Sequence, residues 1–525
     1  MDSFQTFILL MFAAAILVGI SQKIRIPYPI GLVLGGTALG FYPNQHGIYF
    51  DPNLILVVVL PPILYYAAFG ISFREFTHNW REILSLALGL VAFTTFVIGV
   101  IFKWIFPEFP WALAFAFGAI VSPPDAIAAT TILKRFAINT RLLTVLEGES
   151  LINDASAIVL YRMAVASLLS GAFSFSEGSI DFVKIVTGGI AVGFVLGYLT
   201  QRFSRRYLEP VVGVVFSFTI PYITYILADF LGVSGVLAVV VNGLMGSQIL
   251  LRHPSSLRRI VGYATWDIFI ILLNCFVFIL IGLQLRTLTN VMTMKQMLLY
   301  TGYAFAITFA MIAVRMIWVY AKSGFSYLKA LGKPNSFTLC PQILREAALV
   351  GWSGMRGIVS LTAALALPYT LPNGMPLDGR NEVIFITFVV ILLTLLIPGL
   401  TLSSLIHWLK IHHQPEYHRA LTVRKKLTKV AEETIHHLHT SKKINVSEFD
   451  FLTAYFNLQL RVLEITTSQE KELQNLESAR RMVIQEQRRK LFELWERLEI
   501  DDKLLSQLEH ELDLEETHMA RAELK

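Results

Sequence analysis

Apolar runs separated by short polar stretches fill the chain from its first residues to about position 408, where the pattern stops. At ~17–25 apolar residues per membrane crossing, the runs give about thirteen helical segments. They span 5–21, 28–42, 53–70, 83–102, 111–132, 142–169, 182–201, 211–228, 232–251, 266–285, 297–320, 346–369 and 382–408. Two of them are interrupted. The fifth contains Ser122–Pro123–Pro124–Asp125 amid apolar sequence, and proline removes a backbone donor and disfavours helix in the residue before it. The twelfth contains Gly351, Gly354 and Gly357 around Arg356. Irregular backbone at membrane depth persists only where it is buried in protein or lines a cavity. Paired interruptions in corresponding places of two halves mark a transporter's midplane site. With segments 1–6 and 8–13 as the halves and segment 7 as linker, each interruption is the fifth member of its half. The halves then enter the membrane from opposite sides, as an inverted repeat requires.

Past His407 the pattern becomes polar and helical. Phe451, Tyr455, Leu458, Val462 and Ile465 recur at helical spacing, as do Leu491, Leu494, Leu498, Leu504 and Leu508. The chain therefore divides into a membrane part, 1–408, and an amphipathic helical part, 409–525. The second packs on itself, on another copy or under the membrane part. Its charges nearly balance, with about 19 basic and 21 acidic residues. Nine of the twelve histidines lie in 407–525, including His412, His413, His436, His437 and His439. Solvated helix-surface histidines are the leading reading, a pH-sensing tail the second, and a zinc site the weakest, since no cysteine accompanies them.

Composition agrees with the pattern. Of 525 residues, 54% are hydrophobic and only 16% charged, and the mean hydropathy is +0.58, far from a soluble protein. The fold class expected is an all-α polytopic membrane protein with a helical cytoplasmic C-terminal domain. The net charge of +6 is no nucleic-acid footprint, because many basic residues are spread over short loops. Alternate loops, beginning with Lys23/Arg25 and Arg74/Arg81, hold about 17 basic residues against about 5 in the others. That places the N-terminus outside and the C-terminus in the cytoplasm. Met1–Ile20 carries Asp2 where a signal peptide has a basic region, and no small-residue cleavage site follows, so it reads as the first membrane helix. Cys275 falls in an apolar run and Cys340 in a loop, which implies no disulfide framework.

The candidate chemistry gathers in Gly148–Tyr161, GESLINDASAIVLY. An ionised side chain at a membrane-helix centre costs at least ~2.5–3.5 kcal/mol, so Glu149 and Asp154 in one run need a reason. Ser150 and Asp154 share one helix face, and Glu149 and Asn153 another. The remaining intramembrane ionisable residues are Asp125, Arg162, Asp267, Arg315 and Arg356. Asp267 is expected to open its helix and to be structural. Arg315 stands within AFAITFAMIAVRMIWVY and needs an anion. Glu149 is its natural partner, a carboxylate held by a guanidinium fork. Asp154 is then the free titrating carboxylate, with Ser150, Asn153 and the carbonyls freed around Ser122–Pro123 as further oxygen ligands. Hard monovalent cations take such ligands. One carboxylate that holds either a proton or a cation, with access alternating between two sides, exchanges one for the other without moving net charge.

These motifs resemble the monovalent cation:proton antiporters of the NhaP/NHE type. The resemblance extends over roughly 1–410 and rests on GES-x-x-ND at Gly148–Asp154 together with G-x-RG at Gly354–Gly357. It implies a thirteen-helix fold with a dimer domain and a moving core domain, and a homodimer. It implies Asp154 as the Na+-binding aspartate, with Asn153 and Ser150 beside it, Glu149–Arg315 as the stabilising pair, and Gly354, Arg356 and Gly357 supporting the unwound helix. Two positions depart from the family. Many relatives carry Thr/Val-Asp-Pro where this chain has Ser122–Pro123–Pro124–Asp125, which leaves Asp125 open as a helix cap, a cation ligand or an outward-facing residue. Some relatives carry an acid near Tyr66, where Tyr65 and Tyr66 stand here.

The leading function is electroneutral exchange of Na+ or Li+ for H+ in the lipid bilayer of a bacterial inner membrane, with no cofactor and no enzymatic step. K+/H+ exchange on the same scaffold is the nearest alternative. A cation channel and an intramembrane aspartyl protease pairing Asp154 with Asp125 are remote ones. The expected partners are monovalent cations, protons, lipid, a second copy of the chain and an unidentified regulatory ligand of the C-terminal domain, but no nucleic acid.

Overall fold

The computed structural model describes residues 3–24, 27–41, 55–134, 136, 138–170, 175–207, 209–252, 256–289, 292–330, 336–372, 374–411, 417–456, 470–497, 499, 504–505, 508–509 and 512. Two compact units emerge, Met1–His413 and Gln414–Lys525. The first is helical throughout, with one isolated bridge, Thr370 to Pro376, among the described residues.

Its helices are α1 (Ser3–Ile24), α2 (Tyr28–Gly40), α3 (Leu60–Gly70, entered through a π-turn at Ile55–Val59), the short α4 (Phe73–His78) and α5 (Trp80–Ile105). There follow α6 (Trp111–Val121), α7 (Ala126–Leu133), α8 (Thr140–Ser170), α9 (Phe175–Tyr207) and α10 (Pro210–Phe230). The series closes with α11 (Gly235–Arg252), α12 (Ser256–Thr289), α13 (Met294–Ala330), α14 (Ser336–Trp352), α15 (Ile358–Leu365) and α16 (Arg380–Leu409). Among the described residues seven helices are long and apolar enough to cross a membrane, and five shorter apolar helices accompany them. This is an all-helical polytopic membrane protein.

The helices overrun the apolar runs that predict them. α12 begins at Ser256, ten residues before its apolar segment, and α13 continues to Ala330. Backbone hydrogen bonding continues past the point where the side chains turn polar, so hydropathy alone marks helix ends too early. Asp267 is therefore no helix opener; it lies three turns inside α12. Cys340 likewise stands in α14 rather than in a loop, while Cys275 is buried.

Two groups of closely packed helices stand out. α2 lies along α12, and α11 packs against α3, α9 and α10. α5 and α8 pack against α6, and α13 packs against α14 and α16. The α2–α12 contact is backbone to backbone: a side chain at Gly282 would strike the Val33 carbonyl, and one at Gly36 the Ile279 carbonyl. Small residues of this kind let membrane helices approach where no hydrophobic force drives them together. α8 meets α3 and α11, and α15 meets α12, along one seam beside the site.

The second unit contains α17 (Tyr417–Thr440), helical residues 446–456 and α18 (Glu470–Glu496). A reciprocal cap starts the middle piece: Asn445 N–H donates to Glu448 Oε2, and Glu448 N–H donates to Asn445 Oδ1, both at 2.8 Å. Ile435, Ile484 and Leu491 are buried, but Phe451 and Tyr455 are 71% and 50% exposed in the single chain. Leu458, Val462, Ile465 and Leu498 lie outside the described residues. His436 and His437 are exposed, and His436 and His439 pack their rings 5.1 and 4.6 Å from Phe449. No cluster able to hold a metal ion occurs among the described residues. His412 and His413 lie outside them.

Candidate cation site

The two interruptions cross each other. α6 stops at Val121 and α7 starts at Ala126; α14 stops at Trp352 and α15 starts at Ile358. Between the two unwound segments the Asp125 N–H donates to the Met355 carbonyl at 2.7 Å. Arg356 braces the crossing from within the protein. Its Nε donates to the Val121 carbonyl at 3.0 Å, Nη2 to the Ser122 carbonyl at 3.5 Å, and Nη1 to the Gly354 carbonyl. Its own N–H donates to Thr394 on α16 at 3.2 Å. A helix broken in a low-dielectric interior leaves carbonyls that cost free energy if unpaired, and one guanidinium with several donors serves three of them. Glycine is required on both sides of that arginine. A side chain at Gly357 would fall on the Asp125 carboxylate, and one at Gly354 would press on Arg315 and Arg356.

Helix α8 passes the crossing and holds it in place. Ser150 Oγ accepts the Ala126 N–H at 3.2 Å, satisfying the first donor of α7. Asn153 Nδ2 donates to the Pro124 carbonyl at 3.1 Å, while its Oδ1 is buried without a hydrogen-bond partner among the described residues. Asp154 is buried beside it, within electrostatic reach of Asp125, and no basic side chain pairs with it among the described residues.

Glu149 stands apart from that group. Its two oxygens receive Arg315 Nη1 at 2.5 Å and Nη2 at 2.8 Å, and Arg315 Nε donates to the Val350 carbonyl at 3.1 Å. Both side chains are almost fully buried, so the pair neutralises itself in place.

The sequence-predicted residues thus fall into one neighbourhood with different tasks. Ser150, Asn153, Asp154, Asp125 and Pro123 line or abut the crossing. Ser122 is engaged within the protein at both its hydroxyl and its carbonyl. Its hydroxyl donates to Ala119 at 3.1 Å and its carbonyl is engaged by Arg356. Of the crossing carbonyls, those of Val121, Ser122 and Pro124 are taken, and no donor among the described residues reaches that of Pro123.

The profile described as "Sodium/hydrogen exchanger, transmembrane" matches residues 8–408. This chain belongs to that family. The exchanger is a multi-pass membrane protein, a secondary transporter rather than an enzyme, and moves monovalent cations against protons. It is 30% identical to the uncharacterized Na+/H+ exchanger YjcE of Escherichia coli (strain K12), with 97% of each chain covered. It is 33% identical to the sodium, potassium, lithium and rubidium/H+ antiporter of Bacillus subtilis (strain 168), over 78% of this chain and 62% of that one. Among solved structures it is similar to the sodium proton antiporter MjNhaP1 from Methanocaldococcus jannaschii at pH 8. There the TM-score is 0.60 at 20% identity, covering 77% of this chain and 98% of that one, a likeness of fold.

Several residues of the exchanger's crossing escape a sequence reading. Thr394 holds Arg356 from α16. Tyr28 on α2 places its hydroxyl against Asn274 of α12 and Thr131 of α7, within electrostatic reach of Asp125. The only sequence signal for these is a polar residue inside an apolar run, and hydroxyl and amide groups there are too common to single out.

Proposed function

We propose that the exchanger is an electroneutral Na+/H+ antiporter, accepting Li+ as well, in which Asp154 carries either a proton or the cation. One observation carries this reading: of the two buried acids on α8, Glu149 is fully paired with Arg315, whereas Asp154 pairs with no base among the described residues and lies beside Asn153 Oδ1, which is buried without a hydrogen-bond partner among them. Asp154 with Asn153 Oδ1 and the Pro123 carbonyl offers oxygen ligands only, suited to a hard monovalent ion. Proton and cation exclude each other on one carboxylate. Ser150 and Arg356 hold the crossing, and do not compete for the ion.

Asp125 bears on the stoichiometry. Its N–H is tied to Met355, and its carboxylate sits against Gly357 at the start of α15, where a negative group complements the helix end. On this reading it caps α15, leaving one exchanging carboxylate and a one-for-one exchange. Thirteen crossings with an inverted repeat accord with the helix order, counting α6–α7 and α14–α15 as one each. An outside N-terminus and cytoplasmic C-terminus accord with the loop charges. A homodimer in a bacterial inner membrane, with 409–525 as a regulatory domain, completes the proposal.

A broader ion range is the second reading, favoured by the Bacillus subtilis relative whose name includes potassium and rubidium. Proton flux into proteoliposomes under an imposed pH gradient, with Na+, Li+ or K+ added in turn and the membrane potential clamped or free, tests both. Flux with Na+ and Li+ that ignores the potential is the expected result. Equal flux with K+ selects the broader range, and flux that follows the potential overturns the one-for-one exchange.

A further inference from the structure

Asp267 is an acid in an apolar stretch that the site above leaves unused. We infer that it is a separate docking carboxylate for the monovalent cation, at the mouth of the seam that leads to Asp154. The inference rests on the antiport reading.

The geometry begins with α12. At 100° per residue, Asp267, Asn274 and Phe278 share one stripe, since offsets of seven and eleven residues bring the helix back to within about 20°. Asn274 and Phe278 are buried. Asn274 meets the Tyr28 hydroxyl, which also meets Thr131 on α7, so at this level the stripe faces the helices of the crossing and is closed off by them. Asp267, two turns nearer Ser256, is exposed. The same stripe is therefore shut at Asn274 and open at Asp267. A carboxylate in a span of this hydropathy persists where water reaches it.

Its surroundings connect it to the site. The Tyr66 hydroxyl on α3 donates to Asp267 Oδ1, and the Tyr66 ring stacks on Trp266 at 5.5 Å with the planes 5° apart. Trp266 and Tyr66 belong to the same apolar cluster as Leu151 and Ala155, which flank Asp154 on α8, and Val359 of α15 joins them. Tyr66 thus holds Asp267 in a fixed position on the exposed side of the apolar cluster whose Leu151 and Ala155 flank Asp154. Among the described residues, Tyr263 and, beyond it, Arg259 on the same helix stand near this pair. Among the described residues no base forms an ion pair with Asp267. An anion bounded by low-dielectric walls raises the local cation concentration, which acts on capture and leaves the exchange step at Asp154 unchanged.

The test is cation-dependent proton flux by the full-length protein in proteoliposomes, with Na+ as the probe, at low and high concentrations of an inert organic salt. Wild-type flux establishes that the antiport reading stands; its absence removes that reading and this inference with it. Given that flux, Asp267→Asn is expected to raise the KM for Na+ about threefold or more at low salt. Its maximal rate and melting temperature should match the wild type, and the difference should shrink at high salt. Asp267→Glu should restore the wild-type KM. Tyr66→Phe, which keeps the carboxylate and removes its donor, should lower the KM. An unchanged KM in Asp267→Asn overturns the proposal, as does a loss of maximal rate with a lowered melting temperature, which is the mark of a structural carboxylate. If Asp267→Asn fails to fold, Tyr66→Phe decides alone: a lowered KM supports the docking role and an unchanged one overturns it.

Discussion

Glu149 and Asp154 lie on one helix, little more than a turn apart, in opposite surroundings. Glu149 meets a two-pronged guanidinium, and Asp154 meets none among the described residues. Removing half of a buried ion pair strands the other half, at a cost of about 3–5 kcal/mol. Glu149→Ala is accordingly expected to lower the melting temperature of the purified protein sharply and to reduce transport with it; normal melting and normal flux would refute the pairing as a stabilising element. Asp154→Asn keeps the shape and removes the exchangeable charge. It should abolish cation-coupled proton flux while the melting temperature stays near the wild-type value, and retained flux would take Asp154 out of the proposed site.

At the scale of elements, the crossing of α6–α7 with α14–α15 decides how rigid the site is. Gly357→Ala places a methyl group on the Asp125 carboxylate, an overpacking that typically costs about 1–3 kcal/mol. The expected outcome is a lower melting temperature and slower exchange together, read by thermal unfolding in detergent and by flux. Arg356→Ala would strip donors from the carbonyls of Val121, Ser122 and Gly354. It should be more damaging than Arg356→Lys, which keeps a charge but loses the fork; equal stability of the two would show that the fork adds nothing. Both interruptions were legible in the sequence because proline and clustered glycine have few other uses in apolar runs. Glu149–Arg315 was legible because an unpaired arginine there is too costly to stand. What the sequence did not disclose is which carbonyls the breaks leave open. Arg356 reaches back some 235 residues in sequence to Val121, and no local pattern encodes a bond of that range. The placement of Asp267 was misread for a simpler reason: α12 continues ten residues beyond its apolar run.

For the whole molecule, the division into Met1–His413 and Gln414–Lys525 invites a cut between them. A chain ending at His413 is expected to retain cation/proton exchange with an altered rate or pH profile, measured in proteoliposomes beside the full-length protein. Complete loss of flux by a folded, normally melting truncation would make the C-terminal unit part of the transport machinery. The membrane unit contains its own consequence. Its crossing is tied by Asp125 to Met355, by Arg356 to α6 and α16, and by Ser150 and Asn153 to α8. On the alternating-access reading proposed above, a cage fastened on so many sides would travel as one piece, and the ion would meet the same ligands whether it arrives from one compartment or the other. Such a device has no built-in preferred direction. It works as a reversible gear between two gradients, and whichever of them is steeper drives the other backwards.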